Sequence, residues 1–327
     1  MKPIFTFAAT AALGAMLSTP AFATDFWLGG VDPVIQRTSH KGSMKDYLEL
    51  LSDPKAWSAS ALKVSVFKVS AQFVLYGEPD LIRKVFDGMH GRHISMAVEM
   101  GSVVRLENCG GGEGYAPTDM ADKIGKKLRD LGETLDYVAL DEPVWFGHEV
   151  TKGMTELHQS YCAHPLKVVA QRAGITAHAM RKYFPDVKIG VVDVISTALV
   201  PANQLAQDYG EFARLLQQEI GGRLAFFHCD IAWHTDWRAA LPRVKWEMQK
   251  LAIPFGIIIG GSPEHQTEEE WVDAALTRLR TINADPSMRP DQIVAQSWQD
   301  FPTHMLPETQ AGTETYLLLQ AERLSKH

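Results

Sequence analysis

The sequence predicts a single α/β domain folded as a (β/α)8 barrel. Eight short β-rich segments alternate with amphipathic helical segments, and no linker divides them. Most of the β-rich segments are almost continuously apolar, which is typical of parallel strands covered on both faces. A chain of 327 residues is long enough for one such barrel. An open doubly wound sheet is the alternative, but no Gly-x-Gly-x-x-Gly loop follows the first predicted strand.

The first 23 residues are predicted to be a secretory signal rather than part of the barrel. Lys2 precedes an apolar run from Ile4 to Leu17, and Ala21-Phe22-Ala23 has the small residues of a cleavage site. The run is shorter than the roughly 20 apolar residues that a membrane-spanning helix needs. We therefore expect a catalytic barrel over residues 24–327, periplasmic or secreted, without stable membrane association.

The predicted strands are apolar runs that end in polar residues. They are Phe26–Val31, Leu62–Val69, His93–Val98, Tyr137–Asp141, Val187–Val194, Leu224–Ile231, Phe255–Ile259 and Gln292–Trp298. Active sites of (β/α)8 barrels lie at the carboxyl ends of the strands and in the loops that follow. The residues at these eight ends are therefore the candidates for chemistry.

The segments between the strands have helical periodicity. Apolar residues recur every three or four positions over residues 120–131 and 205–220, and Gly221 provides a left-handed end to the second helix. The segment Thr267-Glu268-Glu269-Glu270 is a capping box that predicts a helix start. Pro242 is predicted in the first turn of another helix, where its missing N–H does no harm.

The composition excludes several classes of partner. The formal net charge is −7 and no cluster of Lys and Arg occurs, which argues against a nucleic-acid partner. The 46% hydrophobic and 9% aromatic content excludes a disordered chain. The oligomeric state is left open.

Three cysteines in an exported protein permit one disulfide. Cys109 and Cys162 fall in predicted loops, whereas Cys229 lies within an apolar strand. We expect Cys109 to pair with Cys162 and Cys229 to stay buried and reduced. No Cys-x-x-Cys spacing occurs, so a zinc site built on thiolates is not expected.

Acidic and aromatic residues stand at or just beyond the ends of most predicted strands. In chain order the candidates at the strand ends are Asp32, Lys68, Glu99, Asp141 with Glu142, Asp193, His228 with Asp230, Glu264, and Trp298. Because side chains alternate along a strand, His228 and Asp230 share a face, as do Ile189, Val191 and Asp193. The acidic side chains at the strand ends are thus predicted to concentrate negative charge at the mouth of the barrel.

Glu142 is the strongest of these candidates. It follows Asp141 at the end of the fourth strand, and both like-charge repulsion and partial burial raise the pKa of such a carboxyl group. A raised pKa is what a general acid needs at neutral pH. Pro143 fixes the chain at the turn, and Trp145 nearby offers a flat apolar surface to a sugar ring.

The segment Asp141-Glu142-Pro143 resembles the Asn-Glu-Pro of the clan A (β/α)8 glycoside hydrolases. The resemblance implies that Glu142 is the acid/base, that Asp141 takes the place of an Asn that holds a sugar hydroxyl, and that Trp298 is the Trp that ends the eighth strand. The chain departs from this pattern in two ways. Asp replaces Asn, and the seventh strand carries no Glu at the position of the clan's nucleophile.

The second carboxylate is therefore open between two residues. Glu264 lies just beyond the seventh strand, and Asp230 ends the sixth. Asp230 needs no irregular loop to reach the mouth of the barrel. In another arrangement Asp141 is the nucleophile and Asp230 the acid/base.

The sequence as a whole favours a glycoside hydrolase that cleaves an oligo- or polysaccharide with two carboxylates. The residues expected to bind the substrate are Asp32, Lys68, Glu99, Trp145, Asp193, His228, Trp233 and Trp298. Among so many acids, Lys68 is expected to neutralise a neighbouring carboxylate rather than to bind a uronate. No cofactor is expected.

Two other classes stay open. Glu99, Asp141 or Glu142, and Asp193 end three successive strands, which suits an enzyme that uses Mg²⁺ or Ca²⁺. A barrel that binds glycans without catalysis would keep the tryptophans and would not depend on Glu142.

Overall fold

The computed structural model describes residues 24–34, 44–106, 112–150 and 162–326. The predicted signal, residues 1–23, lies outside this part of the chain and stays a prediction. Cys109 also lies outside the described residues, so its pairing with Cys162 stays a prediction. Cys229 is buried and free, as expected.

Eight parallel strands close into a barrel, which confirms the predicted fold. The strands of the described residues are β1 Asp25–Gly29, β2 Val64–Ser70, β3 Ser95–Gly101, β4 Val103–Val104, β5 Tyr115–Ala116, β6 Tyr137–Asp141, β7 Lys188–Ile195, β8 Phe227–Ile231, β9 Phe255–Ile259 and β10 Gln292–Ala295. The barrel order is β1-β10-β9-β8-β7-β6-β3-β2, and the short strands β4 and β5 form a separate pair. Each predicted strand overlaps one barrel strand, so the periodicity located all eight.

Helices surround the barrel. They are α1 Glu49–Ser52, α2 Ser58–Ala61, α3 Ala71–Tyr76, α4 Pro79–His90, α5 Met120–Leu131, α6 Leu166–Arg181, α7 Ala202–Ile220, α8 Trp237–Lys250, α9 Glu268–Ala284 and α10 Glu314–Leu324. Short 3₁₀ and π segments occupy Pro54–Trp57 and Trp145–Glu149. None of the helices in the described part of the chain is long and apolar enough to cross a membrane.

Of three predictions about helix ends, the structure confirms those at Thr267 and Gly221, whereas the one at Pro242 is wrong. The Thr267 side chain accepts the N–H of Glu270 at the start of α9, and Gly221 ends α7 with a φ of 63°. Pro242 lies inside α8 rather than in its first turn. The helix begins earlier because Trp237, its first residue, is buried and packs edge-on against Trp233.

The interior of the barrel is a small apolar layer beneath a charged one. Trp27, Val66, Ala97, Ala139, Val192, Phe226, Ile258 and Val294 form this inner cluster. Because side chains alternate along a strand, the residue two positions further on also points inward, closer to the carboxyl ends. Lys68, Glu99 and Asp141 occupy that next level.

A second and larger apolar core lies between the barrel and the helices. The strand residues that alternate with the inner cluster belong to it, among them Val191 and Cys229. Asp193 shares the parity of Val191, so its side chain points to the helix layer and not into the barrel. The predicted shared face of β7 was therefore correct, but it is the outer face.

Candidate active site

A cavity of about 650 Å³ opens at the carboxyl ends of the barrel strands. It is lined by six of the residues singled out from the sequence, namely Lys68, Glu99, Asp141, Glu142, Asp230 and Trp298. The barrel fold brings them together although 230 positions separate the first from the last. Their position matches the place where this fold carries active sites.

Glu142 lies where the chain turns sharply out of β6. Its φ is 42°, in the left-handed region that a residue with a side chain seldom adopts. The turn is held at the backbone, because the Glu142 N–H donates to the Val192 carbonyl at 2.8 Å and its own carbonyl accepts the N–H of Phe146 at 3.2 Å. Glu142 is buried, with 7% of its surface exposed. Such strain at a buried acid is typical of functional sites.

Asp193 supports this turn from behind. It is fully buried, and its carboxylate accepts the backbone N–H groups of Val144 at 2.8 Å and Trp145 at 3.0 Å. The Tyr209 hydroxyl also lies 3.4 Å from it. Burial raises the pKa of Asp193 to about 7, although the backbone donors oppose this rise. Asp193 was predicted to bind substrate, and the structure instead places it outside the cavity, because its position on β7 faces the helices.

The segment that contains Gly114 packs against the backbone of Glu142. The φ of Gly114 is 78°, and a Cβ on it would lie 2.7 Å from the Glu142 carbonyl oxygen. Only glycine fits this backbone conformation at so close an approach. This contact places the neighbouring Glu113 at the rim of the cavity, where its side chain is exposed.

Three carboxyl groups meet at this edge of the cavity. Side-chain oxygens of Glu113, Asp141 and Glu142 all lie within 4.8 Å of one another. Glu113 was not among the residues singled out from the sequence, since it ends no predicted strand and follows the run of glycines at positions 110–112. Its acidic side chain beside that run was the available signal. Oxygen atoms grouped in this way could also hold a divalent cation such as Mg²⁺ or Ca²⁺.

The environment raises the pKa of the acids in the cavity. For Asp141 and Glu142 the pKa lies well above the ordinary carboxyl value, first because burial disfavours the charged forms and then because other carboxylates are near. Burial and the neighbouring Glu99 raise the pKa of Asp230 to about 7, while Lys68 opposes this rise. The cavity therefore contains two carboxyl groups whose neutral forms are favoured by their surroundings, beside Asp230, which a pKa of about 7 leaves partly ionised at neutral pH.

Lys68 forms an ion pair with Glu99. The lysine side chain is fully buried, and its Nζ contacts Oε2 of Glu99. The other oxygen of Glu99 lies 3.5 Å from the amide Nε2 of Gln296, a second cavity residue that the sequence analysis did not single out. Lys68 thus neutralises a neighbouring carboxylate, in agreement with the role expected for it.

Two more predicted binding residues are buried away from the cavity. Asp32 is fully buried and accepts the Ser70 hydroxyl at 2.7 Å and the N–H of Val34 at 2.9 Å. His228 points into the barrel, as its shared face with Asp230 predicted, but two residues deeper. There it stacks on Phe226, and burial lowers its pKa to about 3. Neither side chain lines the cavity, so their predicted contact with substrate is not supported by the geometry.

The three aromatic candidates lie in three different places. Trp298 lines the main cavity together with Phe146 and Tyr115. Trp233 lines a narrow side crevice of about 40 Å³ that adjoins Asp230 and Trp298. Trp145 lines neither of these two cavities and packs against the outer core.

Glu264 does not contribute to the cavity. It is exposed beyond β9, and a backbone N–H lowers its pKa, whereas the acids of the cavity have raised values. Of the two candidates for the second carboxylate, the structure therefore brings Asp230 to Glu142 and leaves Glu264 outside. The charge of Asp230 is close enough to raise the pKa of Glu142.

The metal site considered as an alternative, with ligands from three successive strand ends, does not form among the described residues. Asp193 points to the outer face of β7, whereas Glu99 and Asp141 point inward. A different group of possible ligands lies behind the site, where side-chain atoms of His148, Glu149 and Asp208 approach within 4.8 Å of one another.

No family model and no curated protein matches the chain. Several solved structures are similar to it. The GH53 catalytic domain of Ignisphaera aggregans has a TM-score of 0.55 at 8% identity, covering 97% of this chain and 100% of that one. Xylanase XynB of Paenibacillus barcinonensis has a TM-score of 0.50 at 11% identity, covering 93% of this chain and 98% of that one.

A third similar structure is named as a carboxyl transferase and not as a glycoside hydrolase, and this chain covers less than half of it. The carboxyl transferase domain of Rhizobium etli pyruvate carboxylase has a TM-score of 0.52 at 8% identity, covering 93% of this chain and 46% of that one. At such low identities the similarity establishes the fold alone. Because one fold carries many activities, the function has to be argued from the cavity.

Proposed function

We propose that this protein is an exported glycoside hydrolase whose active site is the acidic cavity at the mouth of the barrel. The observation that carries the proposal is the set of buried carboxyl groups with raised pKa values, Asp141, Glu142 and Asp230, in one cavity. Glycosidic bond cleavage needs one carboxyl group that is protonated and one that is ionised. Two of the similar structures, a GH53 domain and a xylanase, agree with this chemistry.

The environments suggest which residue takes each role. Burial and the neighbouring Asp141 favour the protonated form of Glu142, which is the form that can donate a proton to the leaving oxygen. Asp230 has a pKa of about 7, and nearby Lys68 favours its charged form. Asp230 is therefore the group that attacks the sugar or activates water. Asp141 would hold a sugar hydroxyl, and Trp298 would contact a ring.

Export is part of the same proposal. The basic, apolar and small-residue pattern of the first 23 residues supports it. A glycan-degrading enzyme in the periplasm or outside the cell would meet its polymer there. Expression of the full chain, followed by N-terminal sequencing of the mature protein, tests cleavage after Ala23.

The hydrolase proposal is tested with Glu142→Gln and Asp230→Asn on a panel of polysaccharides and aryl glycosides. Loss of the general acid should abolish cleavage of natural glycans, but aryl glycosides with a dinitrophenyl leaving group should still react because they need no proton. Asp230→Asn should lose both activities. Asp273→Asn, which removes an exposed carboxylate on α9, serves as the control. Full activity of Glu142→Gln on a glycan that the wild type cleaves would contradict the assignment.

A metal-dependent barrel enzyme is the second candidate. The close approach of the Glu113, Asp141 and Glu142 oxygens favours it. Activity that disappears with EDTA and returns with Mg²⁺ or Ca²⁺ would support this candidate. Hydrolysis that is unchanged by EDTA would support the two-carboxylate mechanism.

A further inference from the structure

A second cavity lies outside the barrel, on the surface between α3 and α5. It has a volume of about 550 Å³. Leu75 and Tyr76 line it from α3, Met120 and Leu131 line it from α5, and Pro79 lines it from the start of α4. This surface, the Tyr76 groove, is separate from the acids proposed for catalysis.

The Tyr76 groove presents apolar surface to solvent. Tyr76 has 67% of its surface exposed, and Pro79 and Pro117 are exposed in the same groove. Single exposed apolar side chains are common on proteins, but contiguous ones that line a concave surface are typical of a binding site. A ligand for this groove therefore needs apolar faces of its own.

The charged side chains of the Tyr76 groove pair with one another along α5. Lys123 binds Asp119 at 2.7 Å, and Lys126 binds Asp130, so each pair spans about one turn of the helix. All four side chains are exposed. Such pairs offer hydrogen-bond donors and acceptors side by side without a net charge. They suit hydroxyl groups better than a charged ligand.

Lys127 fixes the two walls of the groove to each other. From α5 its ammonium donates to the carbonyl oxygens of Leu75 at 3.1 Å and Gly77 at 2.9 Å, at the end of α3. The last carbonyls of a helix have no partner within the helix, so this contact both caps α3 and holds it against α5. The groove is thereby preformed, which lowers the entropic cost of binding.

Both walls of the groove begin at the cavity in the mouth of the barrel. On α3, Ala71 and Gln72 line that cavity, whereas Leu75 and Tyr76 line the groove. On the opposite wall, Met120 lines both. A helix rises about 1.5 Å per residue, so about 6 Å along α3 separates the last cavity residue from Tyr76. A chain that leaves the cavity along α3 enters the groove directly.

A polysaccharide has the chemistry that this path requires. Its rings present apolar C–H faces to aromatic and apolar side chains, and its hydroxyl groups can bond to the paired charges beside them. The inference rests on the proposed function, because it concerns the chain that the cavity would cleave. We propose that the Tyr76 groove binds the part of a neutral polysaccharide that extends beyond the cavity, so that the protein acts on long chains in preference to short oligomers.

The experiment measures binding and cleavage as functions of chain length. The probes are a soluble xylan, a β-1,4-galactan and a β-glucan, each compared with its own short oligomers. Binding is measured by affinity electrophoresis and calorimetry on mature protein with Glu142→Gln, so that turnover does not consume the probe. Cleavage is measured on mature protein that retains Glu142. We expect at least one of the polymers to bind more tightly than its oligomers and to be cleaved with a lower KM.

An aromatic variant with a matched control identifies the groove. Tyr76→Ala should weaken binding of the polymer about tenfold, with a much smaller effect on short oligomers, because truncation of a central aromatic side chain often costs more than 1 kcal/mol. Tyr76→Phe keeps the ring and should bind the polymer nearly as the parent does. Trp246→Ala removes a side chain with 62% of its surface exposed on α8, outside the lining of both cavities, and serves as the control. Circular dichroism verifies the fold of each variant.

The outcomes separate this inference from the proposed hydrolase activity. Equal affinity of Tyr76→Ala and its parent for the polymers overturns the inference, and so does an equal loss in Trp246→Ala or a lack of binding to every polymer. A fall in molar mass of Tyr76→Ala in analytical ultracentrifugation would assign the groove to contact between copies of the chain and would also overturn it.

Cleavage itself gives the remaining distinction. Hydrolysis that does not depend on chain length leaves the hydrolase and refutes the role of the groove. Polymer binding that depends on Tyr76, without cleavage of any probe by the wild type, supports the groove and refutes the hydrolase.

Discussion

The carboxylate of Asp193 accepts the backbone N–H of Val144 at 2.8 Å and thereby ties the turn after β6 to β7. The same carboxylate accepts the next N–H, that of Trp145, at 3.0 Å. Glu142, the proposed general acid, lies at the start of this turn with a φ of 42°. A residue outside the cavity thus maintains the backbone conformation on which the position of the acid depends.

Replacing Asp193 with Ala should lower both stability and turnover. The two backbone N–H groups would be left buried without an acceptor, which costs about 2 kcal/mol in the free energy of unfolding. We expect kcat to fall more than KM rises, because the variant misplaces Glu142 without removing a substrate contact. Urea denaturation and steady-state kinetics measure the two effects. Asp193→Asn, which keeps one acceptor oxygen, should be intermediate, and an unchanged kcat would show that the turn holds without Asp193.

The pH dependence of kcat/KM should be bell-shaped. Activity requires ionised Asp230, so it should rise as the pH increases through about 7, the pKa of that group. It requires protonated Glu142, so it should fall at a higher pH, since the pKa of Glu142 lies well above the ordinary carboxyl value. The Glu113 charge raises both pKa values, and Glu113→Gln should therefore move both limbs to lower pH. Limbs that do not move, with Asp273→Asn as reference, would contradict these electrostatics.

Glu314 should make the protein less stable as the pH rises. It is fully buried, neither of its oxygens has a hydrogen-bond partner among the described residues, and burial raises its pKa from 4.5 to about 8. The folded state therefore binds more protons than the unfolded state between these two pH values. The free energy of unfolding should decline across that window, by an amount on the order of a few kcal/mol from this group.

The test compares thermal melting of the wild type with that of Glu314→Gln at pH 5 and pH 8. The variant keeps a neutral side chain at both values, so it should gain stability over the wild type at pH 8 relative to pH 5. Glu269→Gln, an exposed change on the neighbouring α9, should show no such gain. A stability difference that is the same at both pH values would mean that Glu314 does not titrate in this range.

The predicted Cys109–Cys162 disulfide should leave Cys229 as the single free thiol. Alkylation of the denatured, unreduced protein should label one cysteine, and mass spectrometry should locate the label on Cys229, which is buried in the fold. A bridge between Cys109 and Cys162 would close a loop of about 50 residues and contribute about 4 kcal/mol. Labelled Cys109 and Cys162 would refute the pairing.

Local patterns were sufficient for the elements of the barrel. Apolar runs such as Phe255–Ile259 are strands because both faces are covered, and Thr267 begins α9 because its side chain satisfies an N–H of the first turn. Pro242 was misplaced because the packing of Trp237 moved the start of α8. Tertiary contacts shift element ends more readily than they change the elements themselves.

The sequence by itself determined the fold class and most of the acids that meet in the cavity, because strand periodicity and strand ends are local features. It also determined that Ile189, Val191 and Asp193 share one face of β7. Only the tertiary structure decided that this face is the outer one, since alternation gives two faces and closure of the barrel selects between them. In the same way, only the fold brought Glu113 against Asp141 and Glu142, because their contact depends on how the backbone at Gly114 packs against Glu142 and not on any local pattern.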